Sequence, residues 1–129
     1  MAKKIEVTKI QLDDREGKVY VDQSDFLVGK KIQPEGRMLT DSELLSFIYI
    51  LDVEDDFIYV SFAEKFWNEL NTARNKELPL FLQINETNRI PFIQFQEEFT
   101  YLLSNIQENS NYGERMVQAV NQTFFSKES

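Results

Sequence analysis

"LLSFIYILDVEDDFIYVSF", residues 44–62, decides the fold. Its first part, Leu44 to Leu51, is almost continuously apolar and rich in Ile, Phe and Tyr, as a strand covered on both faces or central in its sheet requires. "DVEDD" then turns the chain, and "FIYVSF" returns as the hairpin partner. An antiparallel pair therefore stands in the middle of the chain, and the flanking segments are read by how they extend it.

Towards the N-terminus, "KIEVTKIQL" at 4–12 alternates apolar and polar residues, with Ile5 and Val7 in one phase and Ile10 and Leu12 in the other. That slip predicts a strand with a bulge near Lys9. "DDREG" makes a turn ending at Gly17 and "KVYVD" a second strand. Gly29, Pro34 and Gly36 punctuate "FLVGKKIQPEG", which predicts a short extended piece and then a turn in which Pro34 presets the backbone.

Towards the C-terminus, Ser61 with Glu64 three residues on has the capping-box pattern, predicting a helix from there to about Asn75 with Phe66, Trp67, Leu70 and Ala73 along one stripe. "LPLFLQI" reads as a strand, "NETN" as a turn and "RIPFI" as an edge strand, because Pro91 cannot donate to a ladder. From Gln94 to Glu108 the residues Phe95, Phe99, Leu102, Leu103 and Ile106 fall on one helical stripe, and Met116, Val117, Val120 and Phe124 repeat the pattern in a last helix from about Tyr112 to Phe125. Between them "NSNYGERM", 109–116, reads as a sharp corner. Asn109 or Ser110 ends the first helix, Asn111 caps the second with Glu114 reaching back, and Gly113 permits close approach in the first turn.

Strands, a helix, strands and two helices follow without a βαβ rhythm, a repeat or a linker. The expectation is an α+β domain over 1–129, frayed at 126–129: a mainly antiparallel sheet of about five to six strands packed on one face by three helices, the last two forming a helix-corner-helix.

Composition narrows function. At 129 residues with 42% apolar and 13% aromatic side chains, one well-filled core is expected. The chain has neither Cys nor His, which excludes disulfides, thiolate zinc sites, cysteine nucleophiles and imidazole acid–base catalysis. A net charge of −8 with pI near 4.6 opposes binding to nucleic acid or to an anionic membrane. "MAKKIEVTKI" lacks the apolar stretch of a signal peptide, and a cytoplasmic location is expected.

Asp52, Glu54, Asp55 and Asp56 lack the glycine and downstream glutamate of a calcium loop and read as a solvated hairpin turn. Lys30 and Lys31 beside Gly29 lack Walker spacing and read as surface lysines, while Trp67 reads as a core anchor. Glu97, Tyr101, Asn105 and Glu108 recur at three and four residues on the polar side of their helix, so that helix has two occupied faces. Arg37, four residues before Asp41 in "GRMLTDS", is placed to fork onto Asp41 or onto a carboxylate of the Glu97 helix.

"GRMLTDS", "FIYIL", Trp67, "FQEEFTYLLSNI" and "NSNYGE", in that order and at these spacings, resemble the YjbL-like family of small uncharacterised cytosolic proteins of Bacillota. The resemblance spans about Gly36 to Phe125 and implies a cytoplasmic protein, with no assigned activity, substrate or catalytic residue.

The expected function is a non-enzymatic acidic interaction or adaptor module with a protein partner, no cofactor, no metal and no catalytic residue. Its surface joins Arg37, Asp41, Glu97, Tyr101, Asn105, Asn111 and Tyr112, and the Pro91 edge strand and last helix offer homodimer surfaces. The alternative is a small-molecule-binding or hydrolytic protein using carboxylates and a divalent metal.

Overall fold

A computed structural model of the chain describes residues 3–107 and 109–125. Their strands are β1 (Lys3–Leu12), β2 (Gly17–Val21), β3 (Ile32–Asp41), β4 (Ser46–Val53), β5 (Asp56–Ala63), β6 (Leu80–Gln83) and β7 (Arg89–Pro91). The helices are α1 (Trp67–Asn75), α2 (Phe95–Gln107) and α3 (Glu114–Phe124). Single 3₁₀ turns occupy Ser24–Leu27, Glu64–Phe66 and Ser110–Tyr112.

The hairpin of β4 and β5 has the expected form, with Leu51 opposite Ile58 and Val53 opposite Asp56. Its two-residue loop, Glu54–Asp55, has φ of 52° and 73°, the left-handed pair that matches strand twist in a tight hairpin. Phe47, Tyr49, Leu51 and Val53 face the main core, whereas Ile48 and Ile50 are buried on the opposite face, which explains the unbroken apolar run.

The sheet itself departs from expectation. The described residues form a seven-stranded mixed sheet in the order β3-β4-β5-β1-β2-β6-β7. β1 pairs in parallel with β5, and β2 with β6. The sheet curls until its two edge strands, β3 and β7, approach one another. The extra strand is β3, which runs straight through the expected turn at Pro34 and Gly36. A register shift between Pro34 and Met38 absorbs both residues as a bulge, and an edge strand tolerates the absence of an N–H at Pro34. Pro91, in β7, sits at the opposite edge for the same reason.

Gly36 within that bulge has φ +68°, and a Cβ there would strike the side chain of Gln94, itself at φ 58° just before α2. The Gln94 atom concerned is the end of a flexible side chain, so the positive φ is what calls for glycine at position 36. In β1 the register shift lies between Val7 and Lys9, as the phase slip predicted.

Ser61 does not cap a helix. It lies inside β5 opposite Ile48 and is 1% exposed, so the ladder continues to Ala63 and α1 begins at Trp67 without a side-chain cap. The stripes of α2 and α3 meet the sheet as expected: Phe95, Phe99, Leu103 and Ile106, then Met116, Val120 and Phe124, are buried, with Leu102 and Val117 partly so. Two aromatic groups knit the layers. Phe47 packs against Trp67 and edge-on to Phe99 and Phe124, while Tyr49 packs against Phe92 and Phe95.

The corner between α2 and α3 is built differently from the expected Asn111 cap. The Asn109 side chain accepts the Asn111 N–H at 3.0 Å, and the Asn109 carbonyl accepts the Tyr112 N–H at 3.1 Å. Gly113, with φ 91° and ψ 140°, precedes α3 with no side-chain cap. No atom lies within 4 Å of a Cβ built at Gly113, so its dihedral, and not close approach, calls for glycine. The frayed ends expected at 126–129, and Glu108, lie outside the described residues.

Candidate functional site

α2 presents two faces. Phe99 and Leu103 are sealed in the core, and Tyr101 between them stands 67% exposed, flanked one turn away on each side by exposed Glu97 and Asn105. Position along a 3.6-residue helix is what puts these three together. Along the sequence the charge here has one sign: between Ile90 and Glu114 the chain holds Glu97, Glu98, Glu108 and Glu114 and no Lys or Arg. Glu97 and Glu98 also sit in the first turn of α2, where the helix dipole favours anions. Asn111, exposed, and Tyr112, half-buried, follow in the corner.

Arg37 and Asp41 are elsewhere and do not pair. Arg37 approaches Glu35 at 3.9 Å and lies over the Phe57 ring at 5.8 Å. Asp41 instead accepts the Leu44 N–H at 3.1 Å, closing the β3–β4 turn. A four-residue interval is one turn of a helix but about 13 Å along a strand, which is why the expected fork fails once these residues fall in β3. Because Met38 points into the core, Arg37 stands on the sheet face away from α2. Among the described residues no hydrogen bond or ion pair joins any two of the seven expected surface residues. Three share the α2 face, two follow it and two lie on β3.

Asp52 closes its hairpin by accepting the Asp55 N–H at 2.9 Å, and among the described residues no group of three or more carboxylates is placed to hold a metal. Lys30 donates to the Phe26 carbonyl at 2.8 Å and covers that ring, and Trp67 is 1% exposed, so both keep structural roles. Burial pushes the Tyr49 phenol up to about 12, so it is a neutral donor near pH 7 and not a base.

Sequence reading missed a groove of about 410 Å³ on the outer side of β2 and β6, lined by Lys18, Tyr20, Ser24, Gln83, Asn85 and Glu86, with Val21 and Ile84. Its residues come from segments about 60 positions apart that meet only through the parallel β2/β6 pairing. A second groove, of about 340 Å³, runs beside β7 and the start of α2 and includes Ile93, Gln94, Gln96 and Glu97. Gln96 there donates to the Leu78 carbonyl at 2.9 Å.

These features define a small acidic α+β protein with a curled mixed sheet, a three-helix layer and shallow surface grooves. The chain belongs to UPF0738, a family of unknown function whose model matches residues 5–124. It is 38% identical over 126 residues to a UPF0738 protein of Geobacillus sp. strain WCH70, covering 98% of this chain and 100% of that one. A Bacillus licheniformis relative is 39% identical over 125 residues, covering 96% and 99%. A Shouchella clausii relative is 34% identical over 123 residues, covering 95% and 99%. No solved structure matches the chain. An uncharacterised family spread across Bacillota, as the sequence resemblance implied, is therefore supported, under a different designation from YjbL-like.

Proposed function

We propose that this protein is a non-enzymatic interaction module of the cytoplasm that docks a basic protein surface on the outer face of α2. We also take the YjbL-like proteins and this family to be one group. The observation that carries the reading is Tyr101, 67% exposed between Glu97 and Asn105 in a stretch without a cation. An exposed tyrosine with two glutamates in the preceding helical turn suits an arginine- or lysine-bearing partner: the ring receives the cation on its face, and Glu97 and Glu98 supply the opposite charge. Asn111 and Tyr112 follow in the corner beyond the end of α2. The net charge of −8 steers a basic partner towards the protein as a whole, while Tyr101 fixes where it settles. No helix of the described residues is long and apolar enough to cross a membrane, which accords with the cytoplasmic reading.

Pull-down from cytosol with wild type, Tyr101→Ala and Glu97→Lys tests this. The expected result is a set of basic proteins that is released by salt and lost in both variants. An identical set captured by all three would overturn the reading.

A further inference from the structure

The groove on β2 and β6 is a second site, independent of the α2 face. Val19 and Leu82, paired in register, are buried at 0% and point inward, so Lys18 and Tyr20 on β2 and Gln83 on β6 form the floor on the outer side. Because the two strands are parallel, the chain leaves both at the same end of the groove, with Val21 closing β2 and Ser24 beyond it, and Ile84, Asn85 and Glu86 following β6. Gln83 donates to the Asn85 carbonyl at 2.7 Å and ties that second segment to the floor.

Donors without protein acceptors line this groove. Asn85 Oδ1 accepts the Thr87 N–H at 3.0 Å, the Thr87 hydroxyl at 3.1 Å and the Asn88 N–H at 2.9 Å. Three donors to one atom identify it as the oxygen, which leaves the Asn85 amide NH₂ without an acceptor among the described residues. Among the described residues Ser24 likewise makes no side-chain hydrogen bond, and Lys18 covers no ring and makes no ion pair within 4 Å, its charge acting at longer range on Asp13. Neighbouring cations differ: Arg89 is held by Glu16 at 2.6 Å and stacks on Phe81, and Lys9 lies over the Tyr20 ring. An ammonium, a hydroxyl and an amide NH₂ around one groove are the donor set of an oxyanion site. Tyr20, Val21 and Ile84 add surface for the body that carries the anion.

We infer that this groove binds a small organic anion, a phosphate or carboxylate joined to an apolar or aromatic body, with the charge on Lys18, Ser24 and Asn85 and the body on Tyr20. A volume of about 410 Å³ lies within the range of small-molecule sites, roughly 300–1,000 Å³. The net charge of −8 does not forbid this, because carboxylates beyond about 8 Å are screened at physiological salt while Lys18 acts at contact. Glu86, the one carboxylate lining the groove among the described residues, favours ligands that also carry a hydroxyl or amine.

Amide NMR titration of the whole chain tests the inference with four probes: AMP, benzoate, adenosine and inorganic phosphate. Saturable shifts confined to residues 18–24 and 83–86 are expected with AMP, with benzoate or with both, and the active probe tells phosphate from carboxylate. Adenosine and inorganic phosphate each offer half of the ligand and are expected to give no saturable shift. Lys18→Met is expected to weaken binding about tenfold, the loss of one charge-assisted contact, while Lys76→Met, at an exposed site elsewhere, leaves it unchanged. No saturable shift with either organic anion up to about 10 mM, or equal binding by the Lys18→Met protein, would overturn it.

Discussion

The Tyr49 hydroxyl donates to the Ile93 carbonyl at 2.7 Å across 44 residues of chain, and accepts the Gly36 N–H at 3.3 Å. One phenol on β4 thus joins the β3 bulge to the segment between β7 and α2, where the curled sheet brings its edges together. Tyr49→Phe keeps the ring contacts with Phe92 and Phe95 but strands a buried N–H at Gly36 and a part-buried carbonyl at Ile93. The expected loss is about 1–3 kcal/mol in urea unfolding.

The same residue makes stability fall in alkali. Burial raises the Tyr49 pKa from 10.0 to about 12, so the folded state holds the proton more tightly than the unfolded chain. This contribution is complete below pH 10.0 and is lost as pH rises through about 12. Unfolding free energies across that window are expected to fall more steeply for wild type than for Tyr49→Phe, and parallel slopes would refute the assignment.

α1 grips the end of α3 through polar groups. Arg74 donates to the Phe124 carbonyl at 3.2 Å and Asn71 to the Thr123 carbonyl at 3.3 Å, so a cation and an amide meet carbonyls that the helix leaves unpaired. Arg74→Ala is expected to lower stability by about 1–3 kcal/mol, and Arg74→Lys to recover part of it by restoring charge without the planar fork. Chemical denaturation of the two variants provides the comparison.

Features carried by local pattern were legible in the sequence: the 44–62 hairpin, the β1 phase slip, and the apolar stripes of α2 and α3. Features set by distant partners were not. Ser61 and Glu64 satisfy a capping box, yet pairing of Ser61 with Ile48 and of Ala63 with Ser46 extends the strand and overrides it. Pro34 and Gly36 look like a turn because nothing nearby in sequence reveals that β3 is an edge strand able to bulge. The parallel pairings leave no local signature, and with them the Lys18–Asn85 groove stayed hidden. On the α2 face, helical periodicity placed Glu97, Tyr101 and Asn105 together. Arg37 and Asp41 scattered because helical spacing was applied to a strand.

At the corner, Asn109→Ala is expected to cost about 0.5–1.5 kcal/mol, because its side chain holds the Asn111 N–H. Asn111→Ala is expected to stay within about 0.5 kcal/mol of wild type, since Asn111 is exposed and its side chain caps nothing. Gly113→Ala carries the larger penalty, about 1–3 kcal/mol, because φ 91° with ψ 140° is strained for any residue with a Cβ. Thermal unfolding of the three variants should rank them Gly113, Asn109, Asn111, and a larger loss at Asn111 than at Asn109 would restore the Asn111 cap.

Tyr101 separates docking from packing. Its ring is 67% exposed, and Phe95, Phe99, Leu103 and Ile106 already anchor α2, so Tyr101→Ala is expected to change stability by no more than about 0.5 kcal/mol. Removal of an interface tyrosine, by contrast, commonly costs about 2 kcal/mol or more of binding, a loss of roughly thirtyfold in affinity. Measured side by side, an unchanged unfolding midpoint with lost partner capture supports the α2 face as a docking surface. Full capture by the variant removes it, and a large stability loss would mean that the ring packs against the protein itself.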